Sequence, residues 1–92
     1  MKGDDFEKFV KLCHDTKSSK LLSELFKLFL TLEEQEMIKS RYDIIKALLG
    51  EGISQRDLAK KYEVSIAQIT RGSNALKLVS KDLENFLRKE IC

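Results

Sequence analysis

The feature that most constrains this chain is a series of helix-start signals spread over 92 residues that contain no proline. In a capping box, a serine or threonine and an acidic or amide side chain three residues later satisfy free backbone donors at a helix N-terminus. Boxes of this kind occur at residues 31–34, 54–57 and 65–68, and serines near residues 18 and 80 precede apolar runs. Because the chain also has only four glycines, it is predicted to be all-α.

Apolar spacing completes six helices between these signals. Phe6, Phe9, Val10 and Cys13 recur at the spacing of one face of a first helix. The second helix is apolar nearly all round, so several neighbours must bury it, which in a chain this small favours a partner subunit. Its apolar members are Leu21, Leu22, Leu25, Phe26, Leu28, Phe29 and Leu30.

Two further predictions concern the later helices. The third helix is expected to stop in residues 50–52, where Gly50 and Gly52 can adopt positive φ without steric cost. A last helix, beginning near Ser80, is expected to bury four apolar side chains. These are Leu83, Phe86, Leu87 and Ile91.

Length and composition limit the class of protein. A chain this short closes one hydrophobic core, so residues 1–92 are predicted to form a single domain. No run approaches eighteen apolar residues, and Asp4 and Asp5 interrupt any signal-peptide pattern, so we expect a cytoplasmic protein without a membrane span. Cys13 and Cys92 lack metal-ligand spacing, and we expect two reduced cysteines and no metal.

Residues 54–77 have the pattern of a helix-turn-helix. Two short helices are separated by a turn of three or four residues, and the second helix is capped and basic. The helices are expected to meet at Leu58, Ala59, Val64 and Ile69, with Glu63 in the left-handed position that favours glycine. An ordinary helical hairpin is the alternative interpretation of the pattern.

Positive charge is concentrated in the same segment. Residues 54–77 contain five basic and two acidic side chains, whereas residues 31–53 contain three and five, although the net charge of the whole chain is only +2. Such a local excess is typical of a surface that binds phosphates. A solvated helix face would carry the same charges, so the charge pattern alone leaves both readings open.

Residues 69–74, which read ITRGSN, are more specific than a generic helix-turn-helix. Together with residues 54–56 and 65–67, they resemble the Trp repressor family, and the match extends over about residues 21–87. The resemblance implies an intertwined homodimer of six-helix chains, with residues 1–53 and 78–92 as the dimerisation core and residues 54–77 as the reading head. It also implies a bacterial transcriptional repressor of genes for tryptophan biosynthesis or uptake, bound to a palindromic double-stranded operator when L-tryptophan is its corepressor.

The resemblance further implies an L-tryptophan site with no other cofactor. Arg41 and Arg71 would sandwich the indole ring, as guanidinium groups stack on aromatic faces. Thr31 would bind the ligand carboxylate, together with Arg71, and the carbonyls of Leu28 and Leu30 would accept its ammonium across the dimer. The implied site consists of Leu28, Leu30, Thr31, Arg41, Ile45, Arg71 and Gly72.

One ligand position departs from the family. Ala75 stands where well-known members have a serine that helps hold the ammonium, and the missing hydrogen bond is worth on the order of 1 kcal/mol. A repressor that answers to a different ligand, or to none, is therefore the alternative function. Without the resemblance, Arg41 would be read as a solvated charge and Arg71 as a phosphate contact.

The operator-binding residues implied by the resemblance lie in both helices of the segment. Gln68 replaces a family threonine, and Ala59 replaces a phosphate-binding lysine, whose charge the following Lys60 could supply. Base edges offer partners to glutamine and threonine, and thymine methyl groups offer contacts to apolar side chains. The set is Gln55, Arg56, Lys60, Ile66, Ala67, Gln68, Thr70 and Lys77.

Two functions from other classes fit the sequence less well. A helical interaction module without a nucleic-acid role would show little dependence on salt when mixed with DNA, contrary to counterion release. An enzyme is disfavoured, because the chain has a single histidine and no pattern of a nucleophile with its base.

Overall fold

Six helices and no strand make up the part of the chain that the computed structural model describes, which is residues 3–50 and 52–92. The all-α prediction is confirmed over these residues. Glu51, in the predicted stop of the third helix, and Met1 and Lys2, in the predicted domain range, lie outside them. The helices are α1 (Gly3–Asp15), α2 (Ser19–Phe29), α3 (Leu32–Gly50), α4 (Gln55–Tyr62), α5 (Ile66–Lys77) and α6 (Lys81–Ile91).

Five helices begin at the residues that the sequence predicts. Ser18, Ser54, Ser65 and Ser80 each accept a hydrogen bond from the backbone N–H three residues later, at 3.1 Å. At Thr31 the capping box is complete, because its Oγ1 accepts from the Glu34 N–H and its own N–H donates to Glu34 Oε1 at 2.8 Å. Each such cap is worth about 1 kcal/mol, so local chemistry determines where these helices start.

The predicted end of α3 is wrong in its mechanism. Gly50 is the last helical residue, and neither Gly50 nor Gly52 has a positive φ. The carbonyl of Leu49 instead accepts a hydrogen bond from Nη1 of Arg88 in α6, at 2.9 Å. A guanidinium at a helix C-terminus satisfies a free carbonyl and opposes the negative end of the helix dipole, so no left-handed glycine is needed.

The chain divides into two compact units, residues 1–35 and 36–92. In the first, Phe9 of α1 is the contact point with α2, since its ring centroid lies 5.1 Å from that of Phe29 in an edge-to-face arrangement and 6.4 Å from that of Phe26. Phe6 and Val10 remain exposed, so the predicted apolar face of α1 is only partly covered.

The apolar surface of α2 is not covered within the described chain. The helix has no buried residue, and Leu28 is 78% exposed. Leu21 and Phe29 are also exposed. Exposed apolar area of this kind on consecutive turns of one helix is typical of an interface, and the partner subunit stays a prediction.

The second unit has a small, closed core. Ile44 and Ala47 of α3 lie with Leu58 of α4 and Ile69 of α5, each at most 1% exposed. Four half-buried side chains pack around this cluster, namely Leu48, Ala59, Tyr62 and Val64. The prediction that α4 and α5 meet at residues 58, 59, 64 and 69 is therefore confirmed.

The predicted burial of α6 is wrong for the chain as described. Leu83 is 43% and Phe86 is 57% exposed, while Leu87 and Ile91 are half-buried. The physical reason is that α3, α4 and α5 already fill the core of this unit. A polar contact through Arg88 then ties α6 to the end of α3.

No helix among the described residues has the length and apolar content needed to cross a membrane. Cys13 is half-buried and Cys92 is exposed, and neither forms a disulfide. Within the same residues, no group of histidine, cysteine and carboxylate side chains could hold a metal ion.

Glu63 provides a test of the turn. Its φ of 54° and ψ of 44° place it in the left-handed region, as predicted. We expect Glu63→Gly to raise the free energy of unfolding by about 0.5–1 kcal/mol, because removal of the Cβ strain outweighs the added freedom of the unfolded chain. Urea unfolding measures this change. Glu63→Ala is the control, since it removes the charge but keeps the Cβ, and an equal gain in that variant would contradict the explanation.

Arg88 provides a test of the α3–α6 contact. Its guanidinium also pairs with Glu84 on its own helix, at 3.0 Å. We expect Arg88→Met to lower the free energy of unfolding by about 1 kcal/mol, because the Leu49 carbonyl loses its partner. Glu84→Gln removes the charge that pairs with Arg88 and Lys81 but leaves the Leu49 contact, and its effect in the same urea titration should be about 0.5 kcal/mol or less. Equal losses in the two variants would show that the carbonyl contact contributes nothing.

Candidate functional site

The turn between α4 and α5 is short and well defined. The N–H groups of Glu63 and Val64 both donate to the Ala59 carbonyl, which closes the end of α4. Ser65 then caps α5, so only residues 63–65 separate the two helices. The left-handed Glu63 turns the chain, and the buried contact between Leu58 and Ile69 holds the second helix against the first.

The predicted DNA-binding residues all lie on α4 or α5, and all but one of them are exposed. Ile66 is 48% exposed, although it is apolar and stands at the start of α5. Exposed apolar and basic side chains together on a capped helix suit a nucleic-acid surface. The exposed members are Gln55, Arg56, Lys60, Ile66, Ala67, Thr70 and Lys77, and Gln68 is half-buried.

Gln68 has a structural role that its place in the capping box predicts. Its Oε1 accepts a hydrogen bond from the Ser65 N–H at 3.0 Å, while Ser65 Oγ accepts from the Gln68 N–H at 3.1 Å. The two side chains therefore satisfy each other's backbone donors at the start of α5. The amide of Gln68 is thus held in one orientation.

Gly72 brings α5 close to α3. A β-carbon at this position would lie 2.8 Å from Cγ2 of Ile44, 3.7 Å from Cδ1 of Leu48 and 3.8 Å from Cδ of Arg41. Gly72 is buried, and the lack of a side chain is what permits this approach. Arg41 of α3 therefore lies close to the point where α5 crosses α3, and Gly72 at this crossing directly follows Arg71 in sequence.

Four of the predicted ligand residues lie in the second unit. Arg41 and Ile45 stand four residues apart on α3, on the same side of the helix. Both are half-buried, whereas Arg71 is exposed. The structure thus brings Arg41 and Gly72 together, and Arg71 directly precedes Gly72 on α5.

The other three predicted ligand residues lie in the first unit. Leu28 is 78% exposed, and Leu30 follows α2 as its C-cap. The Leu30 carbonyl already accepts a hydrogen bond from Gln35 Nε2 at 3.2 Å. Since a carbonyl has two lone pairs, it can accept a second hydrogen bond from an ammonium group.

Thr31 uses its hydroxyl as a helix cap. Oγ1 accepts from the Glu34 N–H at 3.1 Å, and the side chain is exposed. The hydroxyl hydrogen is not used by that bond, because the oxygen is the acceptor. The group can therefore cap α3 and donate to a carboxylate at the same time.

Two polar contacts near these residues were not found from the sequence. Gln35 holds the Leu30 carbonyl, and Arg88 holds the Leu49 carbonyl across 39 positions. A glutamine four residues after a helix cap is a weak local signal for the first contact. The second contact has no local signal, because only the packing of α6 brings Arg88 to α3.

Comparisons with known proteins agree over nearly the whole chain. Residues 4–91 match the family model described as Trp repressor protein. A Trp operon repressor homolog of Chlamydia trachomatis serovar D is 50% identical over 86 residues, covering 94% of this chain and 92% of the relative. The homolog of Chlamydia caviae is 49% identical, covering 87% and 79% of the two chains. That of Vibrio vulnificus strain YJ016 is 37% identical, covering 85% and 76%.

Proposed function

The chain belongs to the Trp repressor family, whose members are regulatory DNA-binding proteins rather than enzymes. We propose that it represses transcription as a homodimer that binds operator DNA when L-tryptophan is bound. The observation that carries the proposal is the close contact at Gly72. This contact joins α5, the helix proposed to read DNA, to Arg41 of α3, one of the two arginines proposed to hold the ligand. A ligand beside Arg41 can therefore act on the position of α5.

The exposed face of α4 and α5 supports the DNA-binding part of the proposal. Arg56 and Lys60 on α4 and Lys77 on α5 supply positive charge for phosphates, while Thr70 and Ile66 are available to base edges. The first turn of α5 is also capped, and its backbone donors favour a phosphate. Phosphate contacts would position the protein, and side chains of α5 would add sequence preference.

The chemistry of the ligand residues supports an amino acid with a flat ring. Arg71 and Arg41 offer guanidinium planes to an aromatic face, and Arg71 can also pair with a carboxylate. The Thr31 hydroxyl can donate to a carboxylate, and the carbonyls of Leu28 and Leu30 can accept from an ammonium group. This donor and acceptor set matches the ammonium, carboxylate and indole of L-tryptophan.

The uncovered apolar side chains support a homodimer. Leu28 and Phe29 of α2, and Leu83 and Phe86 of α6, are all more than two-fifths exposed. A second copy would cover apolar surface that one chain leaves to water. In the proposed mechanism the two copies of α5 enter successive major grooves about 34 Å apart.

The ligand would act by a population shift. It favours the arrangement of α5 that fits DNA to the extent that it binds that arrangement better than others. Coupling between two such sites is commonly about 1–3 kcal/mol, so tryptophan should tighten operator binding about 5- to 150-fold. By reciprocity, operator DNA should tighten tryptophan binding by the same factor.

The proposal is tested by measuring DNA affinity at one fixed salt concentration. A duplex enriched from a random library in the presence of L-tryptophan serves as the operator. Fluorescence anisotropy gives the dissociation constant of the protein for this duplex with and without about 1 mM L-tryptophan. Phenylalanine and glycine are the control amino acids. Equal affinity with and without L-tryptophan would overturn the corepressor role, and failure to enrich any duplex would overturn operator binding.

A second candidate within DNA binding rests on Ala75. This residue is exposed on α5 and has no hydroxyl to offer an ammonium group. The alternative is a repressor whose ligand is not an α-amino acid, or that needs none. Calorimetry with L-tryptophan, indole and indole-3-propionate separates the candidates, because only the first compound carries the ammonium group. A lower dissociation constant for the propionate than for L-tryptophan would favour the alternative.

A further inference from the structure

We propose that Gln68 meets DNA only as a hydrogen-bond donor and therefore favours guanine over adenine at the base pair that it faces. The inference rests on the proposed DNA-binding function and adds a specificity determinant to it. It follows from the capping box at the start of α5, which uses the oxygen of the Gln68 amide and leaves the nitrogen available.

The orientation of the amide is determined by hydrogen-bond chemistry. The atom 3.0 Å from the Ser65 nitrogen must be the oxygen Oε1, because a backbone N–H can only donate. Ser65 Oγ lies 3.5 Å from the same oxygen, so the hydroxyl can donate to it as well. In the planar amide, Nε2 then occupies the position turned away from Ser65.

The amide nitrogen has no acceptor within the described part of the chain. Every hydrogen bond of the Gln68 side chain runs through Oε1 to Ser65. Gln68 also stands in the first turn of α5, between the exposed Ala67 and the exposed Thr70. Nε2 therefore carries two unused N–H donors at the part of the helix that the proposed function assigns to base edges.

These donors distinguish the two purines in the major groove. Guanine presents two acceptors there, N7 and O6, and both can accept from one amide nitrogen. Adenine presents N7 beside the N6 amino group, which is itself a donor. A glutamine usually reads adenine with both amide ends, N6–H to Oε1 and Nε2–H to N7. Here the N–H and the hydroxyl of Ser65 both approach Oε1, so its two lone pairs are turned to Ser65 and not to a base.

A matched pair of variants separates the cap from the donor. Gln68→Glu keeps a carboxylate oxygen for the Ser65 N–H, as in the usual capping box, but replaces the donor by an acceptor. Gln68→Met removes both the oxygen that caps the helix and the N–H donor. Thermal unfolding should show that the melting temperature is retained in Gln68→Glu and lowered in Gln68→Met.

The readout of the proposal is base preference. Double-stranded DNA with 20 random base pairs is selected against the wild-type protein, Gln68→Glu and Gln68→Met with saturating L-tryptophan, and the bound pool is sequenced. We expect one position in each half-site where the wild type prefers guanine to adenine by about tenfold. At that position Gln68→Met should have a ratio near one, and Gln68→Glu should reverse it in favour of adenine.

Asn74→Asp is the control for charge, since Asn74 is exposed on α5 and outside the proposed DNA-binding set. It adds the same negative charge and should leave the guanine-to-adenine ratio at that position as in the wild type. A wild-type preference for adenine at the position sensitive to residue 68 would overturn the proposal. A uniform loss of affinity without a change of ratio at any position would overturn it too, since the donor would then serve a phosphate. If the wild-type protein enriches no sequence, the proposed DNA-binding function itself fails. If it enriches a site whose base preferences are the same in the Gln68 variants, only the inference about Gln68 fails.

Discussion

Gly72→Ala should lower the free energy of unfolding by about 1–2 kcal/mol, although alanine is ordinarily the better helix former. Alanine gains about 1 kcal/mol over glycine inside a helix. At this position, however, its Cβ would lie 2.8 Å from Cγ2 of Ile44, whose side chain is only 1% exposed and packs in the core with Leu58 and Ile69. Overpacking of a closed core costs about 1–3 kcal/mol or somewhat more, and we expect this cost to outweigh the gain. Urea unfolding measures the difference.

The chain supplies a matched control at Gly52. A β-carbon there meets nothing within 4 Å, so Gly52→Ala should change stability by no more than about 0.5 kcal/mol. A double-mutant cycle with Ile44→Ala, which removes Cγ2, should recover part of the Gly72→Ala loss as coupling energy. A gain in stability on Gly72→Ala, or no coupling to Ile44, would show that α5 does not approach α3 as closely as described.

Arg71→Leu should abolish the effect of L-tryptophan on operator affinity. In the proposed mechanism Arg71 stacks on the indole and pairs with the carboxylate, so its loss removes the interaction through which the ligand favours one position of α5. The ratio of operator dissociation constants without and with ligand should fall from about 5–150 to near one. Anisotropy titrations at fixed salt measure both constants. Because Arg71 is exposed, the substitution should leave unfolding stability within about 0.5 kcal/mol.

The ratio of the operator dissociation constants without and with L-tryptophan is the informative quantity, since loss of any positive charge weakens DNA binding by itself. Lys46→Leu is the control, because it removes one exposed charge from α3 at a residue with no proposed contact to ligand or DNA. That variant should keep the wild-type ratio even if both of its affinities fall. A wild-type ratio in Arg71→Leu would remove Arg71 from the ligand site, whatever the change in overall affinity.

The starts of the helices could be predicted because their chemistry is local. Ser65 and Gln68 are three residues apart, and both bonds of their capping box form within one turn of chain. The same is true of Thr31 and Glu34. The left-handed Glu63 was also predictable, since a three-residue turn between capped helices leaves few backbone choices.

The errors share a different cause. Gly50 and Gly52 looked like a left-handed helix end, but Arg88, 39 positions from Leu49, supplies the missing donor instead. The apolar pattern of α6 predicted burial, yet Leu83 and Phe86 stay exposed because other helices fill the core. A periodic pattern tells which face of a helix is apolar, but it does not tell whether the same chain covers that face.

In the candidate site, too, the sequence predicted local features and missed contacts between distant residues. Arg71, Gly72 and the polar residues of α5 could be singled out from the segment that reads ITRGSN, which also carries the resemblance to a family. The sequence did not indicate that Gly72 is where α5 meets Ile44 and Arg41 of α3. Nor did it indicate that the Leu30 carbonyl is already held by Gln35.

By itself, then, the sequence determined the helix starts, the left-handed turn at Glu63 and the polar composition of α5. These depend on hydrogen bonds and backbone preferences that act over three or four residues. Only the tertiary structure decided how α3 ends and where α5 lies on α3. Those features depend on contacts between residues about 30 to 40 positions apart, such as Ile44 with Gly72 and Leu49 with Arg88, and no local pattern records which distant side chain will arrive there.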